Sequence, residues 1–206
     1  MQVVRFDQLL NHVLINLPVS CGEGIIKDAL RSAAATLCDE CEIWRQELTA
    51  VNAVANQKSY TLDPQFSAGI KRVYSVYSRT STEVTAGDKG TKLSLDDAEW
   101  IPSTSTIKWT TAPASVAVTN GLVFTVILVP DFKSNEIAGW VLDRWAPGII
   151  AGAVSDICGR PGPQFNADAS ARYGAQFQNA KADACRELLA EYKDGSVIIE
   201  PGWRLT

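Results

Sequence analysis

Histidine is almost missing from this sequence: His12 is the only one in 206 residues, beside a single methionine. Most metal-ligand clusters and most nucleophile–base pairs depend on imidazole. Hydrolase triads, His-rich zinc sites and the metalloprotease motif are therefore largely closed off, and an enzyme of this size would have to work with carboxylates, lysine or cysteine alone. No apolar run approaches the ~18–20 uncharged residues of a membrane span. The opening Met1-Gln2-Val3-Val4-Arg5 has no basic n-region, apolar core or small-residue cleavage site, so the expectation is a soluble protein made inside the cell. A basic block is missing too. The net charge is −4, with −3 over residues 1–50, +1 over 51–135 and −2 over 136–206, which is not the footprint of a chain that grips nucleic acid. Neither Gly-x-Gly-x-x-Gly nor Gly-x-x-x-x-Gly-Lys-Ser/Thr occurs, so no phosphate cradle is predicted.

What is present is ordinary for a globular protein: 46% apolar and 20% charged residues. The length allows one domain or two small ones, at ~100–200 residues each. Residues 1–50 read as helical. Phe6, Leu9, Leu10, Val13, Leu14 and Leu17 recur at spacings of three and four, until Pro18 ends the pattern. A longer stripe follows in Ile26, Leu30, Ala33, Leu37, Cys41, Trp44 and Leu48, and Ala33-Ala34-Ala35 allows a close neighbour. Residues 51–135 change period. Ser59–Leu62, Ile70–Tyr77, Lys92–Leu95, Ile107–Thr110, Val116–Val118 and Leu122–Val129 read as short strands between turn formers. Asn120-Gly121 is the strongest hairpin signal among them. Helical period returns over 136–192. Pro147 either opens a second helix or kinks one continuous helix, and Asn166 caps a last helix over 167–192. The fold expected is α+β: mainly an α-helical bundle (1–50 and 136–192) carrying a small inserted antiparallel β-sandwich or barrel (51–135). An extended tail, 193–206, follows.

Few residues qualify for chemistry. Cys38-x-x-Cys41 lies mid-helix among Asp39, Glu40 and Glu42, the wrong setting for a lowered thiol pKa. A zinc site would need ligands beyond the scattered Cys158 and Cys185. The preferred reading is structural cysteine, and five cysteines without a secretion signal are expected to stay reduced. Asp96-Asp97-x-Glu99 reads as a solvated loop, and Gly148-x-x-x-Gly152 as close helix packing. No catalytic residue, cofactor or metal is predicted. Six tryptophans are too many for one small core, and tryptophan is enriched at interface hot spots. Trp100 and Trp109 are candidates for contact with another chain. So is the apolar tail with Val197, Ile198, Ile199, Trp203 and Leu205, which is too short to fold alone.

One ordered set of motifs carries a resemblance. Leu37-Cys38-Asp39-Glu40-Cys41-Glu42-Ile43-Trp44-Arg45 is followed by Tyr60-Thr61-Leu62 and Val126-Ile127-Leu128-Val129-Pro130. Then come Trp145-Ala146-Pro147-Gly148-Ile149-Ile150-Ala151-Gly152-Ala153, Arg160-Pro161-Gly162-Pro163-Gln164-Phe165-Asn166 and Ala171-Arg172-Tyr173-x-x-x-Phe177. Over roughly residues 25–190 this order resembles the head-to-tail adaptor (connector) proteins of tailed bacteriophages. Phe165 stands where that pattern has Trp, and the tail after Glu191 has no counterpart in it. The resemblance implies a structural virion protein of the neck, made in the host cytoplasm and without enzymatic activity. It implies a homo-oligomeric ring, commonly of twelve copies, below the portal protein. Such a ring extends the DNA channel without binding DNA specifically, contacts no membrane, and offers a platform to the next tail or nozzle component. The alternatives are another tail-assembly or terminator protein, and a redox or metal protein using Cys38 and Cys41.

Overall fold

A computed structural model describes residues 3–64, 68–79 and 90–193, with side chains to 187. In chain order the elements are β1 (Val3–Arg5), a 3-10 turn (Phe6–Leu9), α1 (Leu10–Asn16), α2 (Glu23–Cys41), β2 (Arg45–Glu47) and β3 (Val51–Ala53). β4 (Ser59–Thr61), β5 (Ala68–Ser78), β6 (Thr91–Leu93), β7 (Ala98–Ile101), β8 (Thr106–Trp109) and β9 (Val118–Pro130) follow. β10 (Glu136–Ala138), α3 (Gly139–Gly159) and α4 (Ala167–Lys193) complete the order. The chain divides into two compact units, one of residues 1–43 with 135–206 and one of residues 44–134.

The first unit is built around α3, which packs on both α2 and α4. Glycines on one face of α3 make this possible. A Cβ at Gly152 would come within 2.8 Å of the Ala33 Cβ on α2 and 2.9 Å of the Phe177 ring on α4. One at Gly148 would lie 2.6 Å from the Ala180 Cβ, and one at Gly159 3.0 Å from Ser170 Oγ. Between them Ser155 Oγ donates to the Ser170 carbonyl and Ser170 Oγ to the Ser155 carbonyl, each at 2.9 Å. Positions 148, 152, 155 and 159 follow the three- and four-residue spacing of one helix face. Their partners descend from 180 to 170, so α3 and α4 run antiparallel. Pro147 lies inside one continuous α3. Asn166 Oδ1 accepts from the Ala169 N–H at 2.9 Å, capping α4. β1 pairs antiparallel with β10, so the two chain segments of the unit also meet in a sheet.

The second unit holds eight of the ten described strands. One antiparallel sheet has the order β2-β9-β5-β6 with β3 also on β9, and the other is β4-β8-β7. β9 is the axis: Leu122, Val123, Phe124, Val126, Ile127 and Leu128 are all buried. Tyr60 on β4 and Trp109 on β8 meet Phe124 on β9, with ring centroids 6.0–6.5 Å apart. This cluster joins the two sheets.

These findings correct the expected fold class. The chain is a sheet-rich α+β protein with four α-helices and three antiparallel sheets among the described residues, not a helical bundle carrying a small barrel. Three local causes account for the difference. The stripe expected to reach Leu48 stops at Cys41, where Glu42 takes a left-handed conformation (φ 49°); Trp44 and Leu48 are instead buried in the sheet unit. Asn120-Gly121 does not turn a hairpin. Asn120 (φ 53°) and Gly121 form a bulge within one long β9, where Asn52 Oδ1 accepts from the Asn120 N–H at 2.9 Å. A Cβ at Gly121 would lie 2.8 Å from those of Ala53 and Val118, so the site demands glycine for room. Finally, the segment ahead of the first helix is a strand, β1, rather than a helical turn.

The glycine contacts yield a signed pair of expectations. Gly152→Val overpacks the α2–α3–α4 junction and lowers unfolding free energy by about 1–3 kcal/mol. Gly24→Ala, with open space at its Cβ in the first turn of α2, raises it by about 0.5–1 kcal/mol. Urea melts of the two variants against the parent read both signs.

Candidate functional site

The residues that could do chemistry are dispersed. His12 is exposed on α1, where its carbonyl accepts from Asn16 Nδ2 at 2.7 Å. Asp96 is exposed before β7 and takes a hydrogen bond from Ser94 Oγ at 2.6 Å. Among the described residues, no group of three or more His, Cys, Asp or Glu could hold a metal ion. No described helix is long and apolar enough to cross a membrane.

The cysteines depart from the expectation of a fully reduced set. Cys41, the last residue of α2, is disulfide-bonded to Cys185 on α4 with a Cα–Cα distance of 4.8 Å. Cys38, its neighbour in the Cys-x-x-Cys motif, is a free, fully buried thiol. Burial first and the Asp39 carboxylate second push its pKa well above the usual range. Burial also raises the Cys158 thiol. The motif thus divides into one bridged and one inert residue. Sequence spacing could not show this, because Cys185 lies 144 positions from Cys41.

The tryptophans divide similarly. Trp109 is only 4% exposed and its ring is engaged by Tyr60 and Phe124, which leaves little of it for another chain. Trp100 is half-buried on β7, with a buried indole N–H that has no hydrogen-bond partner among the described residues. Val197, Ile198, Ile199, Trp203 and Leu205 lie outside the described residues.

An apolar end of the helical unit was not singled out from sequence. Ile15 is 81% exposed at the close of α1, Phe165 is 59% exposed just before α4, and Val19 is exposed between α1 and α2. Two hydrogen bonds hold these segments together: Gln164 Nε2 donates to the Ser20 carbonyl at 3.2 Å, and Tyr173 OH to Asn16 Oδ1 at 2.9 Å. Pro18, Pro161 and Pro163 stiffen both connections. One signal was legible: Ile15 falls off the Phe6–Leu17 stripe, and an off-phase isoleucine on a short helix has no core to enter. Replacing Ile15 and Phe165 together with Ser is expected to leave stability within about 0.5 kcal/mol. The same double variant is expected to weaken self-association, read by sedimentation velocity of the protein alone. Unchanged association would remove this end as a contact surface.

No protein-family model matches the chain, and no curated protein matches it significantly. Among solved structures, a chain described as the "neck of empty GTA particle computed with C6 symmetry" aligns at 16% identity. The alignment covers 84% of this chain and 95% of that one, with a TM-score of 0.29. At that score the likeness carries no argument about this chain.

Proposed function

We propose that this chain is a structural head-to-tail adaptor of a tailed phage or phage-like particle: a neck subunit that forms a homo-oligomeric ring under the portal. One observation carries the reading, the ordered set of motifs from Leu37 to Phe177. Its most distinctive members lie on α3, on the α3–α4 connection and on α4, around the Gly148–Gly152 seam. The charge balance is compatible with a DNA conduit, since a lumen without a basic patch does not hold DNA that must slide. The exposed apolar end and the apolar sequence of residues 194–206 are two candidate contact regions. A closed ring needs such a pair, because its contacts are heterologous.

A second reading has a specific observation behind it. Sheet content well above the expected small insertion brings the chain nearer to a tail-terminator or other tail-assembly protein. The two differ in partner. An adaptor binds the portal, whereas a terminator binds the end of the tail tube.

Electron microscopy of the purified protein, mixed separately with portal and with tail tube, distinguishes them. Rings seated on the portal are expected; binding to the tube alone would replace the adaptor reading with the terminator. Deleting residues 195–206 is expected to abolish portal binding while leaving the far-UV circular dichroism nearly unchanged. Full binding by the truncated chain would remove the tail from the docking surface.

A further inference from the structure

Few of the described side chains of α4 are buried. Between Ala167 and Glu187 its only buried side chain is Ala184; the others are half-buried or exposed. In its proximal half the close approach to α3 and the Ser155–Ser170 hydrogen bonds hold it. Among the described residues of its distal half, cross-helix contacts include the Arg144–Glu187 ion pair at the surface, the Lys181–Glu40 pair, whose Lys181 side chain is mostly buried, and the Cys41–Cys185 bridge. The exposed Arg144–Glu187 pair holds little. The bridge is the covalent tie on the described part of that half.

We propose that Cys41 and Cys185 form a reversible thiol–disulfide latch, open where the chain is made and closed once it meets an oxidising medium. The need for two states rests on the adaptor reading, because a chain assembled in a host cytoplasm is kept reduced there. The geometry supplies the rest. Lys181–Glu40 sits one helical turn from Cys185 and beside Cys41, so the ion pair keeps the two thiols opposed before they are joined. Cys41 is fully buried whereas Cys185 is half-buried, so an oxidant enters at Cys185. Cys38 and Cys158 are buried with raised pKa values and do not compete, since the thiolate is the reacting form.

With a small-molecule disulfide such as oxidised glutathione, closure has two balanced steps. The Cys185 thiolate attacks one sulfur of the small disulfide, forming a mixed disulfide and releasing one small thiolate. The Cys41 thiolate then attacks Cys185 Sγ, forming the Cys41–Cys185 bond and releasing the second. Two protein thiols are oxidised, one small disulfide is reduced, and the two protons pass to the departing thiolates.

The test uses the full chain, purified reduced and then exposed to oxidised glutathione. Alkylation after unfolding in denaturant, with peptide mapping, is expected to find Cys41 and Cys185 blocked only after oxidation, with Cys21 labelled in both states. Closure is expected to raise the melting temperature by roughly 5–15 °C and to slow amide exchange at least tenfold over the distal half of α4. Cys185→Ser is expected to behave as the open form in both media, and Cys185→Ala repeats it if the hydroxyl is not tolerated. Ready alkylation of both cysteines after oxidation would overturn the latch. So would a bond that forms without changing either melting or exchange. Portal binding is scored separately in both states, so a failed adaptor reading appears as no binding in either, whatever the cysteines do.

Discussion

The helical unit depends on one constraint: α3 must approach α4 and α2 closer than ordinary side chains allow. Gly148, Gly152, Ser155 and Gly159 form the face of α3 that meets Ala180, Phe177, Gly174 and Ser170 in descending order, while Ala33 of α2 closes on Gly152. Small residues lose little rotamer freedom on packing, so such a seam costs little entropy and gains dispersion contact over backbone surface. It also settles which residues may stand around it. Phe177 fits because position 152 carries no side chain, and the two serines fit because each finds the other's carbonyl. The same economy leaves Ala184 as the only buried side chain among the described residues of α4.

The sheet unit solves its packing by the opposite means. β9 is buried from Leu122 to Phe124 and again from Val126 to Leu128. Its bulge at Asn120-Gly121 lies in the pairing with β3, and β5 pairs with it from Leu122 to Pro130. Bulk fills this unit where its absence shapes the other: Trp109, Tyr60 and Phe124 occupy the space between the sheets.

What was legible in the sequence was local and periodic. The buried stripe of α2 from Ile26 to Cys41, the stop at Pro18, the cap at Asn166 and the long strand around Ile70–Tyr77 each follow from spacing or from a residue's own backbone chemistry. What was missed depended on a distant partner. Trp44 and Leu48 kept the helical period by coincidence, and only the core of the sheet unit explains their burial. Asn-Gly has the same left-handed tolerance in a bulge as in a turn, so the dipeptide marks the backbone state without deciding whether the chain reverses. Cys41 paired across 144 positions rather than with Cys38, because residues three apart on a helix stand one above the other while a second helix can face either. Of the candidate surface, the tail was legible from its apolarity. Of the end formed by Ile15, Val19 and Phe165 only the off-stripe Ile15 was legible, since the end exists only once two connections are held together.

Three residues of the adaptor resemblance, Gly148, Gly152 and Phe177, belong to the α3–α4 seam. The close approach of the helices needs them, whatever the assembly does. A substitution there changes stability and function together and cannot tell them apart. The discriminating residues must be ones the fold does not need. Those are exposed apolar groups such as Ile15 and Phe165, whose burial the chain itself does not provide. An apolar side chain left in water is stabilised only when something else covers it, so function in this chain is to be sought where the fold leaves its own hydrophobic residues unfinished.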